Sequence, residues 1–324
     1  METITTNVSS PERFNLKTTV LSHGWHECAP MSWCEGGRCL QVVEREGDQV
    51  FRVSVVEGKR RAKRVVLNMT IEGGSPREPI QTATAERIAA RMRVVLGLDR
   101  DLTEFYTLCA EHSILRVLPK IGGGRGLRSA CMAENVIKAI CGTNVNWDQA
   151  VKMINRICQL GPILPHFRSL NAWPTPREIL RAGRDYLVGV CRVGYRADSI
   201  LAFCEDVCEG RFDPAELEAM AASPDVTSDE LIKKLRTIRG IGPTSAHYLI
   251  SFLGRHDRLA IDTSTVAHVA RTHTNGKKPT LKQIERIYAK YGKWKNLVWW
   301  NEHWLNWSTA RQILAEAGLN GRAN

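Results

Sequence analysis

The chain has 324 residues, 43% of them hydrophobic, with 45 Lys+Arg against 34 Asp+Glu for a formal charge of +11. That length fits one large domain or two ordinary ones with sizeable cores, and the positive excess points to a polyanionic partner rather than to any fold. No apolar run approaches the roughly 20 residues that span a bilayer, and no basic-then-apolar signal pattern opens the chain, so a soluble intracellular protein without membrane contact is expected.

Residues 1–13 are polar and are expected to be a disordered tail. Residues 14–80 are expected to form a small antiparallel β domain. Leu16, Thr18 and Val20 alternate, and Leu40–Val43, Val50–Val55 and Val65–Met69 are short β-branched runs between Gly, Glu and Lys turns. The basic run Gly58–Arg64 fits a hairpin tip, either solvated or touching phosphates. Glu72–Pro79 is a linker.

From residue 81 to 324 the patterns are helical, so the fold class is α+β: a small antiparallel sheet domain followed by a mostly α-helical domain. Helices are expected at Glu86–Leu96, from Asp101, at Ala133–Ile140, at Trp147–Leu160, at Arg177–Val190 with a break near Gly189, and from Gly194 to Val207. The glycine-rich Ile121–Gly126 lacks the Gly-Lys-Ser/Thr ending of a P-loop and is expected to be a plain loop. Pro162, Pro165, Pro174 and Pro176 mark a long loop.

Between Asp229 and Gly254 two helical patterns meet at a very short turn. Leu231, Ile232, Leu235 and Ile238 form one apolar stripe; Ala246, Leu249, Ile250 and Leu253 form the next. Between them lies Arg239-Gly240-Ile241-Gly242-Pro243. Glycines release φ, and Pro243 suits the first turn of a helix. Free amides at the mouth of the second helix, with its dipole, favour an anion such as a phosphate. The alternative is an ordinary helix pair with a glycine-rich turn. Further on, Leu259-Ala-Ile-Asp262 sets one acid after an apolar run, at the start of another helix. At the C-terminus Ile284–Tyr291 is helical, and Trp294, Trp299, Trp300, Trp304 and Trp307 follow.

The run Leu235-Arg-Thr-Ile-Arg-Gly-Ile-Gly-Pro-Thr-Ser-Ala246, followed by Ile261-Asp-Thr263, resembles the helix-hairpin-helix superfamily of DNA glycosylases. Within it the chain is most similar to the bacterial alkylbase (3-methyladenine II type) branch. The resemblance covers roughly residues 100 to 275, and the N-terminal sheet looks like the extra domain of the alkylbase and 8-oxoguanine branches. It implies two helical lobes with a cleft between them, double-stranded DNA as partner, and a monomer in the nucleoid or the nucleus. It also implies excision of damaged bases after the nucleotide is flipped out.

Carried over by position, Asp262 is the catalytic carboxylate, stabilising the sugar's developing positive charge and orienting or deprotonating water; it also suits an N-cap for the helix at Thr263. The hairpin residues Arg239, Gly240, Ile241, Gly242 and Thr244 would hold the DNA backbone, and the family suggests a monovalent cation there. Asn144, in Gly-Thr-Asn-Val, is either the residue that fills the gap in the duplex or a helix cap. Tyr248 shares a helix face with Thr244. With Trp294, in Gly-Lys-Trp-Lys, it would form an aromatic base pocket suited to cationic alkylated purines; either ring is alternatively core. Tyr186, Tyr195 and Arg196 are better read as packing.

Relatives that cut the strand carry a lysine where this chain has Thr244, which cannot form an imine. Lys233 and Lys234, on the preceding helix, are poor substitutes. Hydrolysis without strand cleavage is therefore expected. Thr244 also departs from the bulky aromatic of the alkylbase branch, which leaves the substrate open. Two alternatives remain: a glycosylase of the oxidised-guanine kind, and a non-catalytic module that binds DNA lesions. None of the ten cysteines lies beyond Cys208, so no iron–sulfur cluster is expected after the acid. Cys28, Cys34 and Cys39, near His23 and His26, do not have zinc spacing, so no metal and no resident cofactor are expected.

Overall fold

The structure is a computed structural model that describes residues 2–61, 63–73, 79–165 and 170–319. In chain order the strands are β1 (Glu2–Ser9), β2 (Met31–Cys34), β3 (Cys39–Glu46), β4 (Gln49–Arg61) and β5 (Arg64–Gly73). The helices begin with α1 (Leu16–Val20), α2 (Thr82–Val95), α3 (Thr103–Glu111), α4 (Leu118–Ile121) and α5 (Met132–Cys141). They continue with α6 (Trp147–Cys158), α7 (Pro176–Gly189), α8 (Arg196–Cys208), α9 (Pro214–Ala222) and α10 (Ser228–Leu235). The last are α11 (Pro243–Phe252), α12 (Thr263–His273), α13 (Leu281–Tyr288), α14 (Lys295–Trp304) and α15 (Ser308–Glu316). Among the described residues no helix is long and apolar enough to cross a membrane.

The chain divides into two compact units, residues 1–99 with 125–214, and residues 100–124 with 215–324. The first unit holds an antiparallel sheet in the order β1-β5-β4-β3-β2. Strand β5 alternates buried and half-buried residues, so Val65, Leu67, Met69 and Ile71 line one covered face. Helix α2 lies on this unit through Ile88 and Met92, both fully buried, and its Arg91 pairs with Glu44 (2.9 Å) and Glu46 (2.7 Å) of β3. Val43 and Val50 pack with Leu164 and Ala172, and Arg45 reaches Glu178 of α7 at 2.9 Å. The sheet thus shares its core with the segment between α6 and α7 and belongs to one compact unit with residues 125–214, so the chain does not divide at residue 80. The expected linker lies mostly at 74–78, outside the described residues.

Three expectations fail in this unit. Of the tail expected to be disordered at 1–13, Glu2–Ser9 is instead the edge strand, paired antiparallel with β5 from Glu2↔Gly73 to Ser9↔Val66. Its polar alternation hides a strand whose hydrogen bonds, not its apolar burial, hold it in place. Second, Leu16, Thr18 and Val20 are not a strand. Asn15 accepts from the Thr18 amide (2.9 Å) and caps α1. All five residues of α1 are buried, so their alternation marks no exposed face. Helix α7 also breaks at Gly183 (φ 74°) rather than near Gly189.

The second unit is all-helical, with Phe105, Leu231, Leu235, Leu249, Ile250, Val269, Tyr288, Trp299 and Trp304 almost entirely buried. Of the C-terminal tryptophans, Trp299 and Trp304 belong to this core.

Candidate active site

Helix α10 begins with a capping box: Glu230 accepts from the Thr227 amide (2.8 Å) while Thr227 accepts from the Glu230 amide (3.3 Å). Its apolar stripe continues past the helix end into Ile238 and Ile241, both buried, and these anchor the turn. Gly240 sits at φ +89°, where a side chain would be strained. Gly242 is the N-cap of α11 and offers no side-chain cap, and Pro243 takes the first turn. The leading amides of α11 therefore have no intrahelical acceptor. Arg239, Gly240, Gly242 and Pro243 are exposed, and nothing lies within 4 Å of where a Cβ on Gly242 would be. The turn is an open, amide-lined, electropositive mouth of the kind that takes a phosphate.

Asp262 is the N-cap of α12. Its Oδ1 accepts from the Thr265 amide (2.8 Å) and the Ser264 hydroxyl (2.7 Å), with the Thr265 hydroxyl 3.0 Å away. The Asp262 amide in turn donates to Thr265 Oγ1 at 3.1 Å. One oxygen is thus consumed by the cap. Oδ2 accepts from the Tyr248 hydroxyl at 3.0 Å, and among the described residues that is its one hydrogen-bond partner. Burial, then the charge of Asp262 and the bond to it, raise the Tyr248 phenol well above its ordinary value, so Tyr248 stays protonated and donates. Capping and a reactive role are compatible because they use different oxygens.

Helix α11 lies against the segment that ends in Asp262. Thr244 donates to the Ile261 carbonyl (2.9 Å), and His247 Nδ1 lies 2.7 Å from the Leu259 carbonyl. Thr244 and Tyr248, one turn apart, therefore both flank the acid. Of the two lysines on α10, Lys234 pairs with Glu216 and Lys233 is exposed.

The aromatic neighbour of Tyr248 is not Trp294. Trp294 lies with its ring 5.5 Å from Phe105 and stacked 5.9 Å from His256. The ring that meets Tyr248, edge-on at 6.5 Å, is the half-exposed Trp300 of α14. His303, one turn further along α14, has its pKa lowered by burial and by His268, with the charge of Asp262 acting in the opposite direction. The sequence did not single out Trp300, His303, Ser264 or Thr265. Only Thr265 carried a local signal, as the third residue after a capping acid.

In the first unit, Asn144 is exposed in the left-handed region (φ 50°), on the turn between α5 and α6. It does not cap α6; Asn146 does, accepting from the Gln149 amide at 2.9 Å. Asn144 Nδ2 instead donates to the Tyr195 hydroxyl (3.3 Å), which lowers that phenol's pKa. Arg196 is buried and donates to the Thr143 carbonyl at 3.1 Å, fixing the turn from beneath. Tyr195 is 60% exposed, so it is a surface ring rather than packing, while Arg196 is structural.

No protein-family model matches the chain, and no curated protein matches it by sequence. Solved structures do match. The 3-methyladenine DNA-glycosylase from Archaeoglobus fulgidus superposes with a TM-score of 0.71 at 19% identity, over 91% of this chain and 96% of that one. A structure described as MBOgg1 in complex with a low-affinity DNA ligand gives 0.69 at 19%, over 97% and 99%. The Clostridium acetobutylicum 8-oxoguanine glycosylase/lyase, in complex with double-stranded DNA, gives 0.67 at 17%, over 93% of each chain. With an antiparallel sheet followed by many helices, and a match running almost end to end, the chain has the fold shared by these DNA glycosylases.

Proposed function

We propose that the protein is a monofunctional DNA glycosylase that flips damaged bases, alkylated purines above all, out of duplex DNA and hydrolyses their N-glycosidic bonds. The observation that carries this reading is the division of labour on Asp262. Oδ1 is fixed by the Ser264 hydroxyl and the Thr265 amide, while Oδ2 is held by one protonated phenol, beside the helix whose mouth opens at Gly240–Gly242.

The hairpin amides, with Arg239 beside them, would grip a backbone phosphate without reading bases. The Asp262 carboxylate would stabilise positive charge on the deoxyribose as the bond to the base breaks, and would orient the attacking water. Thr244 stands where an imine-forming amine would be needed, so water is the nucleophile and the strand stays intact. Tyr248 and Trp300 offer an aromatic surface next to the acid, suited to electron-poor bases. Asn144, exposed on a strained turn, is the candidate for filling the vacated space.

A second reading, removal of oxidised guanine, is favoured by the likeness to the Clostridium 8-oxoguanine enzyme. One assay decides. Duplexes carrying single defined lesions are incubated with the protein, and half of each sample is then treated with hot alkali. Nicks only after alkali, and on alkylated purines, support the proposal. Nicks after alkali on oxidised guanine support the second reading. Direct nicks show a lyase, and binding without base release shows a lesion-binding module.

A further inference from the structure

At the far end of α12 from Asp262, a second carboxylate lies deep in the helical unit. Glu302 of α14 is 3% exposed, and three imidazoles and a phenol converge on it. His112 Nδ1 accepts from the Ile114 and Leu115 amides (3.2 and 3.3 Å), so its proton sits on Nε2, which points at Glu302 Oε1 from 3.0 Å. Tyr288 donates to Oε2 at 2.6 Å. On the same side, His273 Nε2 is 3.3 Å and His268 Nε2 3.6 Å from Oε2.

His268 is out of place in a purely hydrogen-bonded cluster. It is 2% exposed, and neither ring nitrogen has a hydrogen-bond partner among the described residues. A buried polar atom left unpaired is costly. One ring nitrogen of His268, one of His273 and a Glu302 carboxylate oxygen all lie within 4.8 Å of one another. Around a tetrahedral ion with bonds of about 2.0–2.1 Å, neighbouring donor atoms are roughly 3.3–3.4 Å apart. The two imidazole-to-carboxylate distances are already close to that edge.

We propose that His268, His273 and Glu302 bind a zinc-class divalent cation. His112 would act from behind, its Nε2–H holding Oε1 so that Oε2 faces the ion. Two imidazoles and one carboxylate suit a borderline cation better than calcium or magnesium, which prefer all-oxygen sets. The His273 side chain is 28% exposed, which gives a way in and leaves room for water as a fourth ligand. The ion would clamp the last turns of α12, the helix that Asp262 caps, to α14, which carries Trp300. Its role is structural and does not depend on the reaction assigned to Asp262.

The test uses the full chain, freed of metal by dialysis against chelator and titrated with Co2+ alone. The expected result is a visible d–d spectrum without a thiolate charge-transfer band, saturating at about one ion per chain and displaced by Zn2+. Zn2+ should also raise the Tm by several degrees. His273→Ala, at a partly exposed position, should fold, melt like the metal-free wild type, and lose both the spectrum and the Zn2+ shift. Glu302→Gln should lose them too. No d–d spectrum, a thiolate band alone, or a His273→Ala protein that binds like the wild type would overturn the assignment.

Discussion

Helix α12 joins two carboxylates that look alike on paper and are built oppositely. Asp262 caps its start and Glu302 meets its last turns, and each accepts a hydrogen bond from a tyrosine, Tyr248 at 3.0 Å and Tyr288 at 2.6 Å. Asp262 is only half-buried and spends one oxygen on the cap. Glu302 is buried, with donors or imidazoles at both oxygens. Burial alone would raise the Glu302 carboxyl, yet the close approach of His112, His268 and His273 and the Tyr288 hydrogen bond hold it far below the usual carboxylate range. A carboxylate ringed by side chains of its own chain, with or without an ion among them, stabilises a fold. One with an oxygen to spare can act on something outside the chain.

The same deletion at both acids should separate the two roles most strongly. Glu302→Ala leaves His112 and Tyr288 without their acceptor in a buried site and is expected to cost about 3–5 kcal/mol. Asp262→Ala removes a cap and should cost only about 0.5–2 kcal/mol. Denaturant unfolding of the two variants measures this, and equal losses would erase the distinction.

The paired tyrosines sharpen it. Tyr288→Phe should lower stability by about 1–2 kcal/mol with base release unchanged. Tyr248→Phe should leave stability nearly intact and slow release, by roughly tenfold, because it removes the phenol that holds Oδ2. Single-turnover kinetics and thermal melts on both variants check the crossing pattern.

The smallest effect is on pH. His23 in the first unit and His256 in the second are both pushed down to about 3, in each case chiefly by burial. An unfolded histidine takes a proton near 6.5, while these folded ones do not until about 3. The unfolded chain therefore binds more protons in between. Stability should be full above pH 6.5 and fall as the pH drops through that window. Glu302, whose pKa is also depressed, adds a loss only below the ordinary carboxyl range. Melting at pH 7.5 and pH 5 should show the decline, and a constant Tm would contradict it.

The hairpin and its acid were legible in the sequence because their signals are local. Two glycines, a proline at a helix start and an acid before a helix act within a few residues of chain. The strands β3, β4 and β5 were legible for the same reason. What failed depended on partners distant in sequence. Strand β1 is held by β5, some sixty residues on, and its polar face looked like a tail. Helix α1 is set by the cap at Asn15 against full burial of its short run. Trp300 rather than Trp294 meets Tyr248 because α14 starts at Lys295. That start leaves Trp294 at the cap, against Phe105 and His256, and carries Trp300 into the helix. The Glu302 cluster draws its members from the end of α3, from α12, α13 and α14, so no spacing along the chain could announce it.

The most direct test of the central claim is single-turnover base release by Asp262→Asn, with DNA binding measured in parallel on the same lesion duplex. Asparagine keeps the cap and the size of the side chain but not the charge. The account predicts unchanged binding and release slowed by on the order of 10²–10³-fold. Release at the wild-type rate would show that the half-buried carboxylate is only a helix cap.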